Sequence, residues 1–455
     1  MMSETRGLKK VIGPVMMIAM CVGLIVGPWI VPMSYWFSLT GPSIGLAYLV
    51  VAILLIPVVL CYGELTAMLP FAGGEINFAG HSIGKTAGFW VGWLMLFAYA
   101  MMYVMLIMMF AVICEYIFFP SGMPFVWTAA VATTVALAMA ILTTFKVIFA
   151  ARAQFIMFGI FLIVGIATAL FFFLGGHYDI NNAKPYFTTG LGGFGVAVGI
   201  MATGLVGFDV IPQLAEEANY PRKKHVKIML ISVFASAAIY ILATSSVMGM
   251  ASTGTIVDTE MVIPQFAMQY GGPALYYAVL IAAFAATLTT VVGFWLGSAR
   301  VLVGLSRVGM IPAFFGNVNR WGQPAIANWT LFGLFAFCIG TMWTGWLEAT
   351  WTVGAMCIGV IYFFSCVAFV VLRYKKPGWV RPWKAPWGVP LGIIGAICSA
   401  IIVYEASLGM VTAWWWGIIA AYLVVGLGIF AYVTLRSRKH PERYEMRLPL
   451  PEDAE

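Results

Sequence analysis

Long apolar runs separated by short polar segments make up most of this 455-residue chain. Each run is close to the roughly 20 residues that a helix needs to cross a bilayer. The pattern predicts an all-α polytopic membrane protein, with a transmembrane domain at 1–435 and a polar tail at 436–455. The twelve predicted spans lie near residues 10–37, 43–69, 86–118, 124–145, 153–175, 191–213, 226–251, 272–299, 326–345, 350–372, 388–407 and 413–435.

The composition narrows the class of protein. Hydrophobic residues make up 62% of the chain and charged residues only 9%, against about 25% charged in soluble domains. This excludes a soluble enzyme, a nucleic-acid binder and a disordered scaffold. The spans also lack the clustered catalytic side chains of an intramembrane enzyme, and the cysteines show no metal-ligand spacing. We therefore expect no enzymatic activity, no resident cofactor and no metal.

The basic residues fall almost entirely on one side of the predicted spans. With the N-terminus in the cytoplasm, all of the 24 lysines and arginines except Lys184 lie in cytoplasmic segments, as the positive-inside rule requires. We expect a multi-pass protein of the cytoplasmic (plasma or inner) membrane with both termini in the cytoplasm. The net charge of +7 then reflects topology. The tail is expected to be poorly ordered.

Glycines with a proline beyond them interrupt the first and the sixth predicted spans. The first span carries Gly27-Pro28, and the sixth carries Gly204 and Gly207. Matching breaks five spans apart are typical of transporters built from inverted repeats, whereas helix packing is the alternative explanation for the glycines. We expect a half-helix to restart at Pro28, with Gly27 supplying backbone freedom. The predicted repeats lie at about 10–175 and 191–372, followed by two extra helices at 388–435.

Polar residues inside the spans are the candidates for chemistry. Asp209 is the most deeply placed acid, and a charge at that depth indicates function. It could bind a substrate amine or carry a proton, or it could cap the second half of span six. Thr287 and Thr290 in span eight could help to hold sodium, although such hydroxyls more often bond to their own helix. The possible coupling ion is thus H⁺ or Na⁺.

Three motifs in order resemble those of the amino acid–polyamine–organocation (APC) superfamily. They are Tyr62-Gly-Glu64-Leu through Pro70 to Gly73-Gly74, Gly207-Phe208-Asp209 through Glu216-Glu217 to Asn219-Tyr-Pro221-Arg222, and Arg307-Val-Gly309 through Pro312. The resemblance implies a LeuT-like fold with a five-plus-five inverted repeat and two extra helices. It also implies alternating access and a small amine-bearing substrate held between spans one, three, six, eight and ten.

The resemblance locates a substrate site and shows how this chain departs from the family pattern. The family's G-S-G slot, whose amides hold a substrate carboxylate, is Ile25-Val26-Gly27 here. The next residue, Pro28, has no N–H. These departures predict a weakened carboxylate cradle, which makes substrates without a carboxylate more plausible.

Other site positions also follow from the resemblance. The family's aromatic gate in span six is Thr203 here, with Gly204 beside it, which predicts more room. Phe294 falls where related antiporters place an aromatic residue, and Met95 falls roughly opposite it. Phe161 replaces the span-five lysine of some proton-coupled members, whereas Asp209 replaces the usual glutamate and is a candidate proton-linked group. Proton symport, sodium symport and exchange all stay open.

The expected function is secondary active transport of amino acids or related small amines, by symport or antiport. One alternative is a polyamine or amine permease or exchanger for substrates that lack a carboxylate. An alternative of another class is a membrane sensor that binds ligand without transporting it. The expected partners are the small substrate and the lipid bilayer, without nucleic acid. The sequence leaves the oligomeric state open.

Overall fold

The computed structural model describes residues 8, 10–27, 29–119, 122–145, 147–341, 346–439 and 446–454. In these residues the chain forms α-helices and short 3₁₀ turns, with no strand beyond a single bridge between Ile12 and Ala218. The helices are α1 Pro14–Ile25, α2 Met33–Thr40, α3 Ile44–Met68, α4 Gly74–Ser82, α5 Lys85–Phe118, α6 Phe125–Leu142, α7 Val147–Leu174, α8 Gly190–Met201, α9 Val210–Gln213, α10 His225–Met248, α11 Thr253–Asp258, α12 Val262–Arg307, α13 Ala325–Thr341, α14 Trp346–Lys375, α15 Val389–Leu408 and α16 Ala413–Lys439.

The helices are those of a multi-pass membrane protein. Within the described residues, 10 helical stretches are long and apolar enough to cross a bilayer, and Pro14–Ile25 and Ala325–Ile339 are shorter apolar helices. One of the 10 stretches, Met33–Met68, joins α2 to α3. The all-helical fold class is confirmed, and the count of twelve spans stays a prediction.

The centre of the bundle is formed by α5 and α12, which pack against each other. In α5, 89% of the most apolar stretch is buried, against 22% in α7 and 28% in α16. The outer helices expose large apolar side chains, such as Ile163 and Val424. Because exposing large apolar surfaces to water is unfavourable, we infer that these helix faces contact lipid.

The first and the sixth spans are both broken. In the first, α1 ends at Ile25 and α2 begins only at Met33. The predicted restart at Pro28 is therefore wrong, and Pro28 itself lies outside the described residues. Pro32 sets the later start, because proline disfavours a helical conformation for the residue before it and suits a helix start.

In the sixth span, α8 continues into a 3₁₀ turn at Ala202–Leu205, and α9 begins after Asp209. Val206 and Gly207 between them are not helical. The break predicted from the glycines is thus present in the structure, with a short helical segment on each side.

Two predicted boundaries move. Span eight continues beyond residue 299 to Arg307, and its helix is kinked at Gly272, where φ is 73°. The predicted tail begins inside α16, and its residues 446–454 pack against α4. There, Leu448 lies against Gly80, and the Pro449 carbonyl is hydrogen-bonded to His81 Nε2 at 2.8 Å. The expectation of a poorly ordered tail is wrong for these residues, because Leu448 finds an apolar partner.

Candidate substrate site

The two broken spans touch each other at the middle of the bundle. Gly207 has φ 144°, a conformation that L side chains rarely adopt. A Cβ at this position would lie 2.4 Å from Leu24 Cδ2 and 2.6 Å from Ile25 Cγ1. Glycine therefore satisfies both the backbone conformation and the close approach of the last turn of α1.

Gly27 allows a second close approach. It is buried, and a Cβ there would lie 1.7 Å from Thr290 Oγ1 and 2.8 Å from the Ala286 carbonyl oxygen. Its φ is not among the positive values found in this chain. The reason for glycine is therefore the contact with α12, and the expected need for backbone freedom is wrong.

The two threonines predicted for sodium are engaged with carbonyl groups. Thr290 Oγ1 donates to the Gly23 carbonyl at 3.0 Å and to the Ala286 carbonyl at 3.1 Å. Thr287 Oγ1 donates to Ala283 in its own helix at 2.8 Å. The Thr290 hydroxyl thus fixes α12 to the end of α1, and a sodium site there stays a prediction.

Asp209 is buried at the break, directly before α9. Its Oδ1 accepts from the Gly207 amide at 2.7 Å, and its Oδ2 accepts from the Tyr99 hydroxyl at 3.2 Å. The carboxyl bonds backwards along the chain, so it does not cap α9 through its side chain. In the described part of the chain, no lysine or arginine forms an ion pair with it.

Backbone amides around the breaks are already engaged within the chain. The Val26 amide donates to the Val22 carbonyl directly after the end of α1, so this amide of the slot predicted to be a weakened carboxylate cradle is engaged. The amides of Val206, Gly207 and Val210 donate to Thr203, Asp209 and Gly207. The C-terminal end of α1 lies at the break, and its helix dipole places partial negative charge there. Its Gly23 and Ile25 carbonyls accept from the Thr290 and Tyr240 hydroxyls. Amides and carbonyls at the breaks are therefore both engaged within the chain.

The expected extra room beside Gly204 is filled by an aromatic side chain. A Cβ at Gly204 would lie 2.8 Å from Tyr48 Cε1 of α3, so the prediction of open space is wrong. Thr203 donates its hydroxyl to the Trp351 carbonyl of α14 at 2.9 Å. Both predicted residues are therefore packed against neighbouring helices.

Tyr48 belongs to an aromatic cluster that sequence reasoning missed. It stacks on Tyr240 with ring centroids 4.4 Å apart, and Trp36 meets both rings edge-on. Tyr240 donates its hydroxyl to the Ile25 carbonyl at 2.5 Å, so the cluster is attached to the end of α1. The Trp351 ring of α14 lies beside Trp36 as the fourth member. Because four different helices, α2, α3, α10 and α14, each supply one ring, no local pattern in the sequence indicates the cluster.

Phe294 contributes to the opposite wall of the site. Its ring lies 5.4 Å from that of Tyr99. Met95 is buried one helical turn before Tyr99 in α5. Its placement roughly opposite Phe294 stays a prediction. Since Tyr99 also binds Asp209, it connects the predicted wall to the predicted acid. The sequence signal that could have indicated Tyr99 is its hydroxyl group inside a long apolar span.

Ion pairs hold the helices together at the end of the bundle where α9 ends. We call the residues that form them, together with Gln323, the basal clamp. Arg300 Nε binds Glu217 at 2.8 Å with both side chains buried, and Arg307 binds Glu216 at 2.7 Å nearer the surface. Arg300 also donates to Gln323 at 2.9 Å. The clamp consists of Glu216, Glu217, Arg300, Arg307 and Gln323.

Two broken spans in contact, a buried acid at the break and an apolar exterior are typical of a membrane transporter. A sequence model of the family described as amino acid permease matches residues 12–426. The chain belongs to this family, which lies within the APC superfamily, and its all-helical architecture is that of a LeuT-like fold.

Individual relatives are distant but cover much of the chain. The branched-chain amino acid permease BcaP of Bacillus subtilis (strain 168) is 23% identical, covering 96% of this chain and 95% of the relative. BcaP of Lactococcus lactis subsp. cremoris (strain MG1363) is 24% identical, covering 71% and 74%. The low-affinity putrescine importer PlaP of Escherichia coli (strain K12) is 25% identical, covering 66% and 67%.

Proposed function

We propose that the protein is a secondary active transporter that carries amino acids or related small amines across the cytoplasmic membrane by alternating access. The observation that carries this proposal is the contact of the two broken spans, where Gly207 lies against Leu24 and Ile25, with Asp209 buried at the break of the sixth span. Alternating access fits because the broken segments beside Asp209 can move relative to the helices that surround them. The asymmetry of basic residues supports a cytoplasmic location for the clamp and for both termini.

The substrate ammonium would lie between the end of α1 and Asp209. The helix carbonyls and the carboxylate both favour a positive charge there, and the aromatic rings of Tyr99 and Phe294 provide an apolar wall. The engaged amides of Val26 and Gly207 support weak recognition of a carboxylate. A bare-amine permease is therefore the second candidate, and the names of the relatives include both an amino acid permease and a putrescine importer.

A thermal-shift scan of the purified protein separates these candidates. Leucine would be compared with isopentylamine, and ornithine with putrescine, because each pair differs only in the carboxylate. A ligand at ~100 times its dissociation constant stabilises the folded state by about 2.7 kcal/mol. A shift with the amino acid alone supports carboxylate recognition, and a shift with the amine alone supports the second candidate. Counterflow of the bound ligand in vesicles supports transport, whereas binding without counterflow supports a sensor.

Gly27→Val tests the location of the site. The added side chain would collide with Thr290 and the Ala286 carbonyl, so we expect the ligand-induced thermal shift to disappear. Overpacking of this kind costs about 1–3 kcal/mol, which leaves a folded fraction to measure. The matched control is Gly159→Val, because no atom lies within 4 Å of a Cβ at Gly159. Wild-type affinity in Gly27→Val would place the substrate elsewhere.

A further inference from the structure

Glu75 is a buried acid at the clamp end of the bundle, outside the membrane-spanning stretches. It is the second residue of α4, which packs against α5, α9, α12 and α14, and it is only 1% exposed. The start of α4 is pressed against the second half of the broken span, since a Cβ at Gly74 would lie 2.3 Å from Pro212 Cβ. Glu75 therefore lies at the contact between α4 and α9.

The hydrogen bonding of Glu75 leaves acceptors without donors. Its Oε2 accepts from Gln213 Nε2, and the Tyr62 hydroxyl lies beside the carboxyl. Glu75 Oε1 and Gln213 Oε1 are both buried without a hydrogen bond of good geometry. An ionised carboxylate can only accept, whereas a protonated carboxyl also donates. A proton on Glu75 would thus supply the donor that this buried pair lacks.

The surroundings of Glu75 offer no compensating positive charge. The titratable and charged side chains that neighbouring elements bring to this end are Tyr62, Tyr99, Asp209, Arg300, Arg307, Tyr362, Arg373 and Lys375. The arginines are paired with Glu217, Glu216 and Glu64, and Lys375 binds the Ser82 carbonyl. Burial and the Asp209 carboxyl raise the pKa of Glu75 well above its ordinary value.

Asp209 and Glu75 are connected through the same short segment. Asp209 precedes α9 and Gln213 ends it, so the substrate-facing acid and the partner of Glu75 are one helical turn apart. Opening the clamp end requires α9 to separate from α4. That movement would break the contact between Gln213 and Glu75 and bring water to the Glu75 carboxyl.

We propose that Glu75 is a proton-binding site of the transport cycle, protonated while the basal clamp is closed and releasing that proton to water when this end opens. The proposal rests on the transport function proposed above. In each cycle the O–H bond of Glu75 breaks heterolytically and the proton goes to water on the clamp side. Once the clamp has closed, the carboxylate is reprotonated by a proton that enters from the opposite side of the membrane through the break at Asp209. Proton movement is thereby coupled to the conformational change.

Glu75→Gln tests the proposal in proteoliposomes of the full chain, because glutamine keeps the shape of the side chain and cannot titrate. A gradient of about one pH unit supports roughly tenfold accumulation of a substrate coupled to one proton. We expect this accumulation in the wild type and its loss in Glu75→Gln, with counterflow retained. The control is Glu260→Gln, which removes an exposed carboxyl elsewhere. Equal accumulation in wild type and Glu75→Gln, or a wild type that ignores the pH gradient, would overturn the proposal.

A second measurement does not depend on transport. Because the pKa of Glu75 is raised in the folded state, its contribution to stability is fully present below the unfolded pKa and is lost as pH rises. The melting temperature of the wild type should therefore fall more steeply between pH 5 and pH 8 than that of Glu75→Gln. Parallel pH profiles would count against Glu75 alone. Absence of counterflow in the wild type would instead count against the proposed transport function.

Discussion

Glu217 and Glu75 lie at the same end of the bundle and are equally buried, yet their surroundings differ. Both side chains are 1% exposed. Glu217 receives two hydrogen bonds from Arg300, at 2.8 and 3.3 Å. Glu75 receives one from the neutral amide of Gln213. Asp209 resembles Glu75, because its donors are an amide and a tyrosine hydroxyl.

This difference separates acids that hold the structure from acids that can change their charge. A buried charge is costly unless it is paired and hydrogen-bonded. Glu217 meets that condition, and so does Glu64, which binds both Arg373 and Arg381. Glu75 and Asp209 do not meet it in the described structure. We infer that Glu217 and Glu64 act as fixed anions and that Glu75 and Asp209 are the candidates for proton or substrate binding.

The largest expected effect follows from removing the partner of Glu217. Arg300→Met leaves a buried carboxylate without its cation, which costs about 3–5 kcal/mol of unfolding free energy. Replacing both residues, as Arg300→Met with Glu217→Met, should recover much of this loss because an apolar pair needs no compensation. Denaturant unfolding in detergent measures both variants. The control is the exposed Lys223→Ala, expected within about 0.5 kcal/mol of wild type. A small loss in the single variant would show that Glu217 does not need its arginine.

Asp209→Asn should lower the free energy of unfolding less than Arg300→Met does, and it should impair transport more. Asparagine can still accept from the Gly207 amide, so we expect a cost of about 1 kcal/mol or less. Loss of the negative charge should impair uptake or its pH dependence, measured in vesicles beside the melting temperature. Tyr99→Phe is the matched control, because it removes a hydrogen bond to the same carboxyl and leaves the charge. Full activity of Asp209→Asn at every pH would remove Asp209 from the mechanism.

The sequence predicted the parts of this molecule that depend on local chemistry. The spans follow from hydrophobicity. The break near Gly207 follows from its glycines, because glycine can adopt positive φ without steric cost whatever its neighbours are. The position of Asp209 deep inside the sixth span also follows from the apolar residues on both sides of it in the sequence. These features require no knowledge of which helices are neighbours.

The rest of the site depends on contacts between distant segments. Gly27 is needed because of Thr290, more than two hundred residues later, and Gly204 leaves no room because Tyr48 fills it. Glu75 reads as part of a loop motif in the sequence. Its significance comes from α4 packing on α9, which turns a residue expected near water into a buried acid.

The smallest expected loss of stability follows from breaking the exposed ion pair of the clamp, between Arg307 and Glu216. It shows how little an ion pair contributes when it is not buried. Arg307 and Glu216 are 31% and 20% exposed, and Glu216 keeps a second bond from the Ala72 amide at 3.0 Å. Arg307→Ala should therefore cost only about 0.5 kcal/mol. At ~1 M salt the Debye length falls to about 3 Å, so the difference from wild type should vanish there. A cost near that of Arg300→Met, unaffected by salt, would show that Glu216 is desolvated and that the clamp is one buried network.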